Sequence, residues 1–91
     1  MPGIAGIKIK IMPTSPSVDL EKIKQEAQSI VESKKGKNRE YEEEPIAFGL
    51  KALISGFALD ESKEIDPIQE KITALDNVKS AEVSDFRRAF G

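Results

Sequence analysis

Two short stretches carry the residues best equipped to act on another molecule: Pro45-Ile46-Ala47-Phe48-Gly49-Leu50-Lys51, and the ending Asp85-Phe86-Arg87-Arg88-Ala89-Phe90-Gly91. In the first, Ile46 and Phe48 stand between a proline and a glycine, in a connection where a hairpin needs only a couple of turn residues. Phe48 has two readings. It is either a satellite of the core tucked under a sheet edge, or an aromatic anchor for a partner's pocket, the kind of side chain that dominates interface energetics. In the second stretch the apolar period breaks. Adjacent arginines there are either a solvated end, the default for termini, or rigid forks that meet acidic groups on a partner while Phe90 packs against either molecule.

Bond-making chemistry has few candidates. Cysteine and histidine are both absent, which removes the thiolate nucleophile, the soft metal site and the commonest general base near neutral pH. The six glycines form neither a Walker-type phosphate loop nor a G-x-G-x-x-G turn, so neither direct nucleotide binding nor a bound cofactor is expected. Fourteen Lys and Arg against sixteen Asp and Glu leave a net charge of -2. Such a chain has no global positive field for phosphate backbones or anionic lipid, and partners must be recognised by local patches. No window approaches the ~20 apolar residues that span a bilayer, and the N-terminus lacks the basic and apolar regions of a secretory signal. A soluble cytoplasmic protein of one domain, residues 1–91, is expected.

The hydrophobic period shows what must position these stretches. Ile7, Ile9 and Ile11 alternate with Lys8 and Lys10, a strand ended by Met12-Pro13. Pro13 to Ser17 reads as a loop. From Asp19, a helix cap, Leu20, Ile23, Ala27, Ile30 and Val31 fall on one side of a helix that ends near Gly36, with Val18 stapled on Ile23. Lys34, Lys35 and Lys37 crowd that end and read as a solvated turn. Arg39 to Glu44 is a polar edge strand, and Leu50 to Ala58 a stronger one with apolar residues on both faces. Asp66-Pro67 caps a short second helix with Ile68, Ile72 and Leu75 inside, and a last strand runs from Val78 to Phe86. The order βαββαβ predicts a ferredoxin-like α/β sandwich: a four-stranded antiparallel sheet with both helices on one face. The other face is uncovered and is expected to carry Lys8, Lys10 and Lys51.

The two stretches described first, together with Met12-Pro13, Ser15-Pro16 and Val18-Asp19-Leu20, resemble the signature segments of the archaeal elongation factor one-beta family, and the similarity covers essentially the whole chain. The family is similar in fold to the C-terminal exchange domain of the larger eukaryotic beta subunit. The resemblance implies guanine nucleotide exchange on elongation factor one-alpha, the GTPase that delivers aminoacyl-tRNA, in its GDP-bound and nucleotide-free forms. It also implies a mechanism in which one end of the domain presses on the GTPase around its magnesium and phosphate site. The partner-facing residues so implied are Pro45, Ile46, Phe48, Gly49, Lys51, Asp85, Arg87, Arg88 and Phe90. A lysine near the C-terminus of the eukaryotic relative does not carry over, because no lysine follows Lys79 here; Arg87 or Arg88 is the substitute candidate, the alternative being that the metal is destabilised by another route.

Two other classes fit the same fold. An RNA-binding sheet would use Lys8, Lys10 and Lys51, but the strands lack the paired aromatics of such domains, and four Phe and one Tyr supply few stacking platforms. A small-molecule-sensing domain would use Asp60 to Asp66 as a ligand loop.

Overall fold

The computed structural model describes residues 3–89. Six elements follow in the order β1 (Ile4–Pro13), α1 (Leu20–Ser33), β2 (Lys37–Pro45), β3 (Lys51–Asp60), α2 (Asp66–Thr73) and β4 (Val78–Ala89). The strands form one antiparallel sheet in the spatial order β2-β3-β1-β4. Both helices pack on one side of it, the ferredoxin-like α+β arrangement expected from the element order.

Alternation in β1 decides which side that is. Ala5, Ile7, Ile9 and Ile11 are all buried, and they pair across to Leu59, Phe57, Ser55 and Leu53 of β3. This face meets Ile23, Ala27 and Val31 of α1 and Ile68 and Ile72 of α2. Each such Ile or Leu taken out of water contributes about 1.5 to 3 kcal/mol, so the two β-strands and two short helices suffice for a core.

The ends of α1 follow local chemistry. The Asp19 carboxylate accepts the Glu21 N–H at 3.0 Å, the expected cap. At the other end the left-handed residue is Lys35 (φ 63°) and not Gly36. Gly36 is needed for a different reason: a Cβ there would stand 2.7 Å from Val31 Cγ1. For α2 the cap expectation is corrected. Asp66 is the first helical residue, and the capping position falls to Ile65, whose carbonyl accepts the N–H groups of Ile68 and Gln69 with no side-chain cap. Half-burial of Ile65 against the core holds that end instead.

Two further expectations change. β4 continues past Phe86 through Arg87 and Arg88, which pair with Gly6 and Ala5. The apolar period breaks there because Ser84 is an extra residue between the pairs Lys8–Asp85 and Ile9–Val83, a bulge that puts Val83 and Phe86 on the same side. Lys51 does not lie on the uncovered face. It shares the side of Leu53 and Phe57 and sits 3.8 Å from Glu43, beyond the end of α1. The uncovered face carries Lys8 and Lys10 of β1 over Ala52, Ile54, Gly56 and Ala58 of β3, and Lys10 reaches across β3 to Glu44 of β2 at 3.8 Å.

Candidate partner-binding surface

The β2–β3 connection is a tight reversal built from the backbone outward. Pro45 and Lys51 are the last paired residues, the Ile46 N–H donates to the Leu50 carbonyl at 2.8 Å, and the Leu50 N–H donates to the Ala47 carbonyl at 2.9 Å. Phe48 (φ 53°) and Gly49 (φ 79°) occupy the two central positions. Positive φ at both is a type I′ turn, whose twist matches that of the flanking strands. Glycine suits the second position. A phenylalanine at the first is strained, at roughly 1 to 2 kcal/mol for a side chain in the left-handed region.

That strain is not compensated by burial. Phe48 is 96% exposed, which excludes the reading of the ring as part of the core, and Ile46 is 40% exposed beside it. The turn lies beside the β1–α1 loop, where a Cβ on Gly49 would stand 3.8 Å from Pro16 Cβ. Lys51 and Glu43 line a hollow of about 420 Å³ between these two loops, together with Asp19 and Glu21. The five partner-facing candidates Pro45, Ile46, Phe48, Gly49 and Lys51 are therefore brought together at one tip of the domain.

Among the described residues, the other candidates Asp85, Arg87 and Arg88 are not part of that tip. Arg88 pairs with Ala5, whose neighbour on β3 is Leu59, ten residues along the chain from Gly49. At ~3.3 Å per residue, the arginines stand roughly 30 Å from the turn. Nor do the two arginines act side by side. Arg87 lies on the uncovered face with Asp85, Nε to Oδ2 3.2 Å, and Arg88 lies on the helix side, its Nε 3.7 Å from Glu61 Oε1. Their side chains are 82% and 70% exposed, so both ion pairs are open to water and weak. Phe90 falls outside the described residues. Glu61 was not singled out from the sequence, where it is one of several charges in the Asp60 to Glu64 turn; only strand pairing brings it to Arg88.

Among the described residues no cluster of His, Cys, Asp and Glu could hold a metal ion, and no helix is long and apolar enough to cross a membrane. Among the described residues two titratable groups are shifted. Burial pushes the Tyr41 phenol up. The Asp60 carboxyl is held below its ordinary value by the Ser62 N–H and hydroxyl, 2.9 and 2.8 Å from Oδ1. Neither lies at the Phe48 turn.

Residues 6–89 match the model of the EF-1 guanine nucleotide exchange domain. An elongation factor 1-beta from Methanococcus maripaludis is 44% identical over 80 residues, covering 87% of this chain and 90% of the relative. The elongation factor 1-beta of Methanosphaera stadtmanae is 38% identical over 89 residues, 97% of this chain and 98% of the relative. That of Methanocaldococcus jannaschii is 38% identical over 83 residues, 90% and 93% of the two chains. With a matching sequence along nearly all of its length, this chain belongs to the EF-1 guanine nucleotide exchange domain family.

Proposed function

We propose that the chain accelerates release of GDP from elongation factor one-alpha in the cytoplasm, with the Phe48 turn as its anchor on that GTPase. The observation that carries this reading is the near-complete exposure of Phe48 at a strained turn in a chain of this family. A ring held in water at a conformational cost is stabilised only when a partner's pocket receives it. Because Arg87 and Arg88 lie at the far end of the sheet, they address a separate area of the GTPase, where they meet acidic or phosphate groups.

The work done is displacement and involves no covalent step. A factor that prefers the nucleotide-free GTPase weakens nucleotide binding by the same ratio, since the coupling is reciprocal, and the more abundant GTP then fills the site. The factor itself needs no nucleotide, metal or cofactor for this. Stopped-flow release of fluorescent GDP from elongation factor one-alpha, with and without the chain, tests the assignment. Release should accelerate and saturate with added protein, and an unchanged rate at saturating concentration would refute it.

A further inference from the structure

One row of residues crosses all four strands at a level where both edge strands depart from regular pairing. At its centre Lys8 of β1 pairs with Gly56 of β3 and Asp85 of β4. On the β4 side the extra residue Ser84 follows directly. On the β2 side the pairing passes from Asn38–Phe57 to Tyr41–Ser55, so that Arg39 and Glu40 both stand opposite Gly56. Bulges bend a strand and re-aim its side chains. Two at one level leave a hollow of about 300 Å³ on the uncovered face, floored by Gly6 and Gly56 and rimmed by the cations Lys8, Arg39 and Arg87 and the carboxylates Glu40 and Asp85.

The two floor glycines differ. A Cβ on Gly56 would lie 2.8 Å from the Glu40 carbonyl oxygen, so the fold itself demands glycine there. A Cβ on Gly6 would meet nothing nearer than the Arg87 carbonyl oxygen at 3.9 Å, so packing makes no such demand and the missing side chain simply keeps the hollow open. The charges on the rim differ too. Arg87 is engaged by Asp85, whereas Lys8 and Arg39 have no ion-pair partner among the described residues.

We propose that the hollow between Lys8 and Arg39 over Gly6 receives a single carboxylate side chain of the GTPase, a docking point distinct from the Phe48 turn and continuous with Arg87. This rests on the exchange reading above. A protein carboxylate fits better than a nucleic acid. Glu42 and Glu44 stand on the same face along β2, with Glu82 along β4, and this acidic surround repels a run of phosphates while leaving room for one inserted anion. The described face also offers no aromatic ring on which bases would stack.

The test is the concentration of factor giving half-maximal GDP release from elongation factor one-alpha, at low and high salt. In the double variant Lys8→Gln/Arg39→Gln it should rise roughly fivefold to tenfold at low salt, with a shallower salt dependence, as loss of two partly exposed charge pairs implies. Gly6→Val, which fills the hollow with a good strand former, should show a comparable rise with a melting temperature no lower than the parent's. Lys22→Gln, on the solvated side of α1, serves as the control and should titrate like the parent. If the parent chain itself fails to accelerate release, the exchange reading falls and this inference with it. If the parent is active and both hollow variants titrate like it at both salts, the hollow alone is refuted. Loss of single-stranded RNA binding in the same variants, with exchange untouched, would overturn the proposal in favour of a nucleic acid.

Discussion

Phe48 and Arg88 stand at opposite ends of one sheet, the first at the turn into β3 and the second opposite Ala5, beside the end of that same strand. Neither can influence the other through contact. Whatever each contributes to a complex is therefore separable by mutation.

For the turn, the expectation is a gain in stability together with a loss of function. Phe48→Asn places a residue that tolerates the left-handed region where one strained by it now sits, and should stabilise the fold by about 0.5 to 1 kcal/mol. Exchange should fall roughly thirtyfold or more in Phe48→Asn and Phe48→Ala alike, the loss of an aromatic anchor being about 2 kcal/mol or greater. Thermal melts and GDP-release titrations of the two variants decide this; a steep drop in melting temperature for Phe48→Ala would restore the ring to the core.

At the far end, Arg87→Ala/Arg88→Ala should slow exchange and change stability by only about 0 to 1 kcal/mol, because both ion pairs are water-exposed. Reversal to glutamate should slow it further. Combined with Phe48→Ala, the free-energy losses should add to within about 0.5 kcal/mol, as for sites more than ~10 Å apart. A marked departure from additivity in the triple variant would show that the ends are coupled.

Inside the core, Ser55 is fully buried and its hydroxyl has no hydrogen-bond partner among the described residues. The Tyr41 phenol lies close and feels the Ser55 hydroxyl, but its own proton goes to Asn38 Oδ1 at 2.6 Å. Removing an unsatisfied buried hydroxyl relieves its desolvation penalty, so Ser55→Ala should be neutral or stabilising by about 1 kcal/mol in a denaturant titration. A loss of more than that would mean the hydroxyl is satisfied after all, through a bridging water or through Tyr41.

The lowered Asp60 pKa predicts an acid-side dependence. Its ionised form is favoured by the folded turn, so the stabilisation it brings is present above the unfolded value near 4 and disappears as pH falls through the lower folded value. The stability difference between the parent and Asp60→Asn should therefore shrink as pH falls below about 4. Equal differences above and below that pH would contradict the hydrogen bonds to Ser62.

Much of this was legible in the residues themselves. The alternation of Ile7, Ile9 and Ile11 and the helical spacing of Ile23, Ala27 and Val31 specify their burial, because period and burial are the same physical statement in a two-layer fold. Phe48 was legible as a choice between two places, and only its positive φ and exposure resolve it. What the residues hid was everything that depends on register. The bulge at Ser84 disguised Arg87 and Arg88 as a tail and concealed that they face opposite ways, and the offset at Arg39–Glu40 left no mark in the hydrophobic pattern of an edge strand that is polar throughout. Lys51 was misplaced for a related reason. Its side of β3 is apolar further along, but at the strand's end α1 no longer covers it.

The two bulges also bear on how copies of the chain behave toward one another. Edge strands with a regular row of free N–H and C=O groups recruit further strands, and stacking of that kind leads to fibres. Here one edge is interrupted at Arg39–Glu40 and lined with Glu42, Glu43 and Glu44, and the other is interrupted at Ser84 and carries Arg87 and Arg88 beyond it. Neither edge offers a second copy an unbroken, uncharged strand to pair with among the described residues, so the same irregularities that shape the face oppose edge-to-edge stacking of a small, strand-rich protein.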